Sequence, residues 1–189
     1  VETTSFAALV AGAGVAIGAA WSGLLGNFAS GIFLLVLRPY QVGAYVSIGG
    51  VEGTVLELGL FGTTINTPDN VKTIVGNGKI MGNDIKNFTA NPYRRVDLVA
   101  QLAGSADVHK AVALLSAAVA KVPNVTSDPG VVVEILEFTP FGPKLAVRPS
   151  CHTNDYWQVY FDTNKTIAET LGAAGFPVAT NPVTVYTPV

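Results

Sequence analysis

Apolar and small residues run from Thr3 to Leu37 without one charged side chain, and the run ends abruptly at Arg38-Pro39. A bilayer span takes about 20 residues, so this stretch predicts a membrane-embedded helix with a surplus that must tilt or bend. From Ala7 to Gly31 it is mostly Gly and Ala, which give little transfer free energy but let helix backbones approach closely. Ala8, Gly12, Ala16 and Ala20 recur every fourth position, and Gly14 and Gly18 form a second small pair on another face. Both flanks of the helix are therefore shaped for neighbours, as in a closed ring of copies whose third face lines the axis. Gly23, Gly26 and Gly31 are the expected places for a bend. A secretory leader fits poorly, because Glu2 leads and the apolar run far outlasts a leader's short core.

Beyond Arg38 the rhythm changes twice. Tyr45 to Ile48, Gly53 to Leu58, Thr63 to Thr67 and Val71 to Val75 read as short strands, with Gly49-Gly50 and Pro68-Asp69-Asn70 as turns, which predicts a compact antiparallel β-unit. The glycine-rich stretch Gly76 to Gly82 reads as a turn after a strand, and Asn91-Pro92 as a loop. Val96, Leu98, Ala100 and Leu102 then alternate as in a half-buried strand. Asp107 is placed to cap a helix on which Val108, Ala111, Val112, Leu115, Val119 and Val122 recur at helical spacing. Strands follow at Val131 to Phe138 and Lys144 to Arg148. A second helix starts near Asn154 or Asp155, turns Val159, Ile167 and Leu171 inward, and stops at Gly175 before Pro177. Strand, helix, two strands, helix is the split βαβ order. A last strand, Val183 to Tyr186, either completes that sheet or leaves the domain.

Composition narrows the function. All 11 Lys and Arg residues, and every acidic residue except Glu2, lie at or after Arg38, and the net charge is -2. Only Arg94-Arg95 is locally basic, so nothing favours nucleic acid. The single Cys151 excludes an intramolecular disulfide and reads as a small buried hydrophobe. His109 and His152 lack a second ligand at metal-binding spacing. Gly76-Asn77-Gly78-Lys79 lacks the Walker spacing, and Asp155 and Asp162, seven apart on one helix, read as cap and solvated surface. We expect neither catalysis nor a cofactor.

Particular motifs sharpen the picture. Gly23-Leu24-Leu25-Gly26-Asn27-Phe28-Ala29-Ser30-Gly31, then Arg38-Pro39-Tyr40-Gln41-Val42-Gly43, Val51-Glu52-Gly53-Thr54-Val55 and Asn77-Gly78-Lys79-Ile80 resemble the small-conductance mechanosensitive channel family, MscS type, in order and spacing along the whole chain. The resemblance implies a membrane helix plus an α+β portion. Residues 1–37 form a kinked pore helix, bent at Gly23, with a lateral interfacial segment from Leu24. Residues 38–90 form an Sm-like β-domain, 91–178 a ferredoxin-like split βαβ vestibule domain, and 179–189 a strand for an oligomeric β-barrel. The first two membrane helices of such proteins have no counterpart here; an outer, lipid-facing layer is expected from elsewhere.

The same resemblance puts the hydrophobic constriction on Val15 and Ala19, four apart and so stacked as two rings around the axis. Ala8, Gly12, Gly14, Ala16 and Gly18 then serve helix packing, Gly23 and Gly31 act as hinges, and Asn27 and Gly78 couple gate to vestibule. Trp21, about 240° from Val15 on an ideal helix, faces away from the axis and joins Arg38 at the membrane interface. Val15 and Ala19 are smaller than the aliphatic residues the family usually places there, and Ala44 stands where it favours an acid. The implied protein is a homoheptamer in the bacterial cytoplasmic membrane, its C-terminal portion in the cytoplasm, opened by tension to pass small ions and osmolytes, with membrane lipids as partners. Two rivals are a non-conducting membrane-bound ring scaffold and an Sm-like RNA-binding ring, the second opposed by the lack of a basic, aromatic-lined strip.

Overall fold

A computed structural model describes residues 3–180; the expected strand Val183 to Tyr186 lies outside them. The chain divides into two compact units, 1–90 and 91–189.

In the first unit α1 (Thr3–Leu37) is one helix of 35 residues, about 52 Å long at 1.5 Å per residue. It runs through Gly23 and Gly31 without interruption. Glycine permits a bend but does not impose one. β1 (Tyr45–Ile48), β2 (Val51–Leu58), β3 (Gly62–Asn66) and β4 (Lys72–Gly76) form an antiparallel meander. Gly49 (φ 55°) and Gly50 (φ 81°) make the β1–β2 turn, the positive-φ pair that a two-residue hairpin requires. The stretch expected to be only a turn is a short helix, α2 (Asn77–Met81), and β5 (Lys86–Asn87) pairs with β1, giving the strand order β4-β3-β2-β1-β5. This sheet is not closed into a barrel. Its core gathers Val46, Ile48, Val55, Ile65, Val75 and Ile80, together with Leu34 from α1 and Tyr40. Ala44, where the resemblance implied an acid, is a buried member of the same core.

The second unit contains β6 (Arg94–Arg95), β7 (Leu98–Gln101), α3 (Val108–Val119), β8 (Val132–Thr139), β9 (Gly142–Arg148), β10 (Ser150–Cys151), a 3₁₀ turn at Thr153–Asp155 and α4 (Tyr156–Ala173). β9 lies antiparallel between β7 and β8, which α3 connects, so the split βαβ arrangement is present. Leu98, Ala100, Val133, Leu145 and Val147 of the sheet meet Ala111, Leu115 and Val119 of α3 and Val159 and Ile167 of α4 in one core. The Asp107 carboxylate accepts from Lys110 N–H at 3.0 Å and caps α3. Asp155 sits at the start of α4 but its side chain makes no capping bond. His152 takes that role one turn earlier, accepting from Asn154 N–H at 3.3 Å. Asp162 accepts from the Gln158 side chain at 2.6 Å. Buried Cys151 has its thiol pKa pushed up, first by burial and then by the Asp155 carboxylate, which outweigh nearby Arg94.

Candidate functional site at the foot of the long helix

α1 divides by what its residues touch. Only Gly31 and Leu34 are buried, and with half-buried Asn27 they form a seam spaced four and three along the helix, one face. Upstream of the seam every described residue is exposed, with Val15 at 74% and Trp21 at 58%. A β-carbon added at Gly12, Gly14, Gly18, Gly23 or Gly26 would meet nothing within 4 Å. At Gly31 it would lie 2.0 Å from the Leu60 carbonyl oxygen and 2.6 Å from Asn77 Nδ2. Only hydrogen fits there, which gives Gly31 a packing role that its sequence position, indistinguishable from that of Gly23, does not reveal.

The seam ends on α2. A helix of five residues has almost no internal hydrogen bonding, so its first N–H groups need outside acceptors. Its N-cap, Gly76, has no side chain to offer. Asn27, 51 residues away, supplies the cap: its Oδ1 accepts from Gly78 N–H at 2.8 Å. The neighbouring N–H, of Asn77, donates to the Phe61 carbonyl at 3.1 Å. Gly76 and Gly78 face the Asn27 side chain, where Gly31 faces the Leu60 backbone. A β-carbon at Gly76 would come within 2.9 Å of Asn27 Oδ1, and one at Gly78 within 3.2 Å.

Beneath this contact runs a buried polar chain that sequence reasoning missed. Asn77 donates from Nδ2 to the Gly59 carbonyl at 2.8 Å and accepts at Oδ1 from the Thr63 hydroxyl at 3.1 Å. The Tyr40 hydroxyl lies 3.3 Å from the same Thr63 oxygen. Asn77, Thr63 and Tyr40 are all almost fully buried, and burial raises the Tyr40 phenol pKa above its ordinary value, more than the Thr63 bond lowers it. A buried amide with both ends satisfied fixes one geometry, because any slip strands a polar group. Phe28 and Phe61, 5.7 Å apart between ring centroids, pack beside it. The chain therefore locks the Leu60 loop, α2 and the seam of α1 into one relation.

Arg38 closes α1. Its N–H donates to the Leu34 carbonyl at 3.0 Å and its Nε to the Leu35 carbonyl at 3.2 Å, placing a cation at the negative end of the helix. Its φ of 48° is left-handed and turns the chain sharply off the helix axis.

Val15 and Ala19 share one exposed face of α1, with Ala8, Gly12, Ala16, Gly14 and Gly18 around it. Within this chain none of them is brought against Asn27 or Gly78. The region from Thr3 to Leu37 is long and apolar enough to cross a membrane.

Residues 23–90, which hold the seam, the cap and the polar chain, match the family model described as the mechanosensitive ion channel β-domain. The chain is 38% identical over 161 residues to the small-conductance mechanosensitive channel of Edwardsiella ictaluri, covering 85% of this chain and 56% of that protein. It is 34% identical over 106 residues to the small-conductance mechanosensitive channel MscMJ of Methanocaldococcus jannaschii, covering 54% of this chain and 30% of that one. The chain spans about half the length of the Edwardsiella relative. In fold it is similar to Helicobacter pylori MscS in its closed state, with a TM-score of 0.91 at 21% identity over 100% of this chain and 75% of that one. Arabidopsis thaliana MSL1 gives 0.77 at 18% identity, over 95% and 67%. A shared β-domain, shared sequence along most of the chain and a shared fold have one reading: the chain belongs to the MscS-type family of small-conductance mechanosensitive channels.

Proposed function

We propose that these residues are the pore helix and cytoplasmic portion of a channel opened by membrane tension, which releases small ions and osmolytes under hypo-osmotic stress. The observation that carries this is the upstream part of α1: uncharged, exposed, and built on glycines that meet nothing among the described residues. Each glycine inside a helix costs about 1 kcal/mol relative to alanine, and partners outside the chain supply the return. Copies of the same helix supply them, as a homoheptameric ring in the bacterial cytoplasmic membrane.

In that ring Val15 and Ala19 face the axis as two apolar collars. A narrow apolar collar sheds water, and an ion then has to give up its hydration to pass. Tilting the helices widens the collar and rewets it. Gly23, and the helix at Gly31, take up the change of direction between the pore-lining part and the part held on the β-domain. Trp21 and Arg38 sit at the lipid interface. The Asn27–Gly78 bond joins the moving helix to the β-domain, so making or breaking it sets how long the channel stays available under sustained tension.

The test is a recording from the full-length protein in liposomes, with suction on an excised patch. Discrete steps above a pressure threshold support the channel. Silence from a verified ring supports the scaffold instead.

A further inference from the structure

Asn77 and Gly78 form the only Asn-Gly pair in the chain. In an open chain this is the most fragile of asparagine linkages. The backbone nitrogen of the second residue attacks the side-chain amide of the first, and glycine, without a side chain, neither crowds the attack nor limits the turn it needs. Here the two reacting groups are held apart, by residues from distant positions in the first unit.

The nucleophile is the Gly78 nitrogen, whose N–H donates to Asn27 Oδ1 at 2.8 Å. The electrophile is Asn77 Cγ. Its amide is tied at both ends, Nδ2 to the Gly59 carbonyl at 2.8 Å and Oδ1 to the Thr63 hydroxyl at 3.1 Å, and Asn77 is fully buried. Asn77 also lies within α2, where a helical ψ of about −42° directs the following nitrogen away from the side-chain carbon. Closing a five-membered ring between them therefore requires the first turn of α2 to unwind. Little inside α2 resists that, since Gly76 offers no cap and five residues hold few internal hydrogen bonds. We propose that Asn77 is a latent deamidation site, kept intact by the cap from Asn27.

The step balances with water alone. Gly78 N bonds to Asn77 Cγ, the side-chain nitrogen leaves with the displaced proton as ammonia, and one water opens the cyclic imide to aspartate or isoaspartate at position 77. The product does not fit its place. An acid oxygen meets the Gly59 carbonyl where Nδ2 donated, and a carboxylate in a fully buried position is costly. A converted α2 does not close again beneath Asn27, so each conversion is a permanent trace of an opening. The inference stands on the first unit alone and holds whether or not the chain conducts.

Incubating the full-length protein in membranes in mildly alkaline buffer, and following position 77 by peptide mass spectrometry with isoaspartate resolved from aspartate, tests this. The parent is compared with Asn27→Ala, with Asn27→Asp, and with Asn27→Ala combined with Gly78→Ala. In the double variant the new β-carbon has room, because the Asn27 oxygen it would meet at 3.2 Å is gone, and it obstructs ring closure. Loss of one N-cap acceptor sets the expected acceleration in Asn27→Ala at roughly two- to thirty-fold, with isoaspartate among the products. Asn27→Asp stays near the parent rate, and the double variant is slower than Asn27→Ala. Equal rates in the parent and Asn27→Ala, aspartate without isoaspartate, or a rate untouched by Gly78→Ala would each overturn the inference. So would loss of amide protection throughout β1 to β4 in Asn27→Ala, since the cap would then hold the whole domain rather than α2.

Discussion

Replacing Asn27 by alanine removes one acceptor, and the consequences are local and measurable. Gly78 N–H loses its 2.8 Å partner. Gly76 cannot replace it, since it has no side chain, and the Phe61 carbonyl is taken by Asn77 N–H. Losing an N-cap acceptor costs about 0.5–2 kcal/mol. At about 1.4 kcal/mol per factor of ten, opening of the α2 amino terminus becomes roughly two- to thirty-fold more frequent. Amide hydrogen exchange at Gly78 reads that opening directly. The expected result is faster exchange of that magnitude at Gly78 in Asn27→Ala, with the strands β1 to β4 unchanged. Asn27→Asp keeps an acceptor oxygen and places negative charge at a helix amino terminus, which is favourable, so it keeps protection. Unaltered exchange at Gly78 in Asn27→Ala would refute the capping argument. Equal acceleration across the whole β-domain would refute its locality. If the bond also governs availability of the proposed channel, the same variant changes the decay of current under sustained suction, and Asn27→Asp does so less.

Three further outcomes follow from the same geometry. Gly31→Ala drives a β-carbon to 2.0 Å from the Leu60 carbonyl, an overpacking cost of about 1–3 kcal/mol or more, and lowers the melting temperature of the first unit; Gly26→Ala, with open space around it, does not. Under the proposed function, Val15→Asp places a carboxylate in the proposed collar, which then stays wet, so the full-length protein leaks at rest and slows growth; normal growth with no resting current would remove Val15 from the pore. Tyr40→Phe deletes one bond of the buried chain at about 1 kcal/mol and alters the alkaline limb. The Tyr40 pKa is raised from 10.0 in the folded state, so its stabilisation is complete below pH 10 and is lost as pH rises through the folded value; denaturant titrations across that range show the loss in the parent and a flatter profile in Tyr40→Phe.

How much of this was readable beforehand depends on where the determining contact lies. Strands β1 to β4, helices α3 and α4 and the Asp107 cap are local: alternation, helical recurrence and a capping carboxylate within three residues specify them, and the structure has them within a few residues of the expected bounds. α2 is not local. Gly76 to Gly82 has poor helix propensity, and the segment is helical because Asn27, Phe61 and Gly31 meet it from distant positions. β5, β6 and β10 are two residues each, too short for periodicity to register. Asn77, Thr63 and Tyr40 carry no shared spacing; the only trace of them was a buriable polar residue, Asn77, between two glycines. The Asn27–Gly78 pairing came from family resemblance, while the reason for it, a short helix without a cap of its own, required the fold.

The glycines of α1 carry the last step. Gly12, Gly14, Gly18, Gly23 and Gly26 all sit in helix, and a β-carbon on any of them would meet nothing within 4 Å among the described residues. At about 1 kcal/mol each, these five leave the upstream helix roughly 5 kcal/mol short of an alanine helix of the same length. Gly31 differs in meeting the Leu60 backbone and the Asn77 side chain, so its cost is offset inside the chain by a seam that alanine would break. The foot of the helix is thus specified by the β-domain it caps and abuts, and its upper part, in the proposed ring, by neighbouring copies. A helix fixed at one end and dependent on its neighbours at the other can change tilt without unfolding the domain beneath it. That is the mechanical property a tension-gated pore needs, and the boundary between the two regimes falls between Gly26 and Gly31, where Asn27 makes its bond.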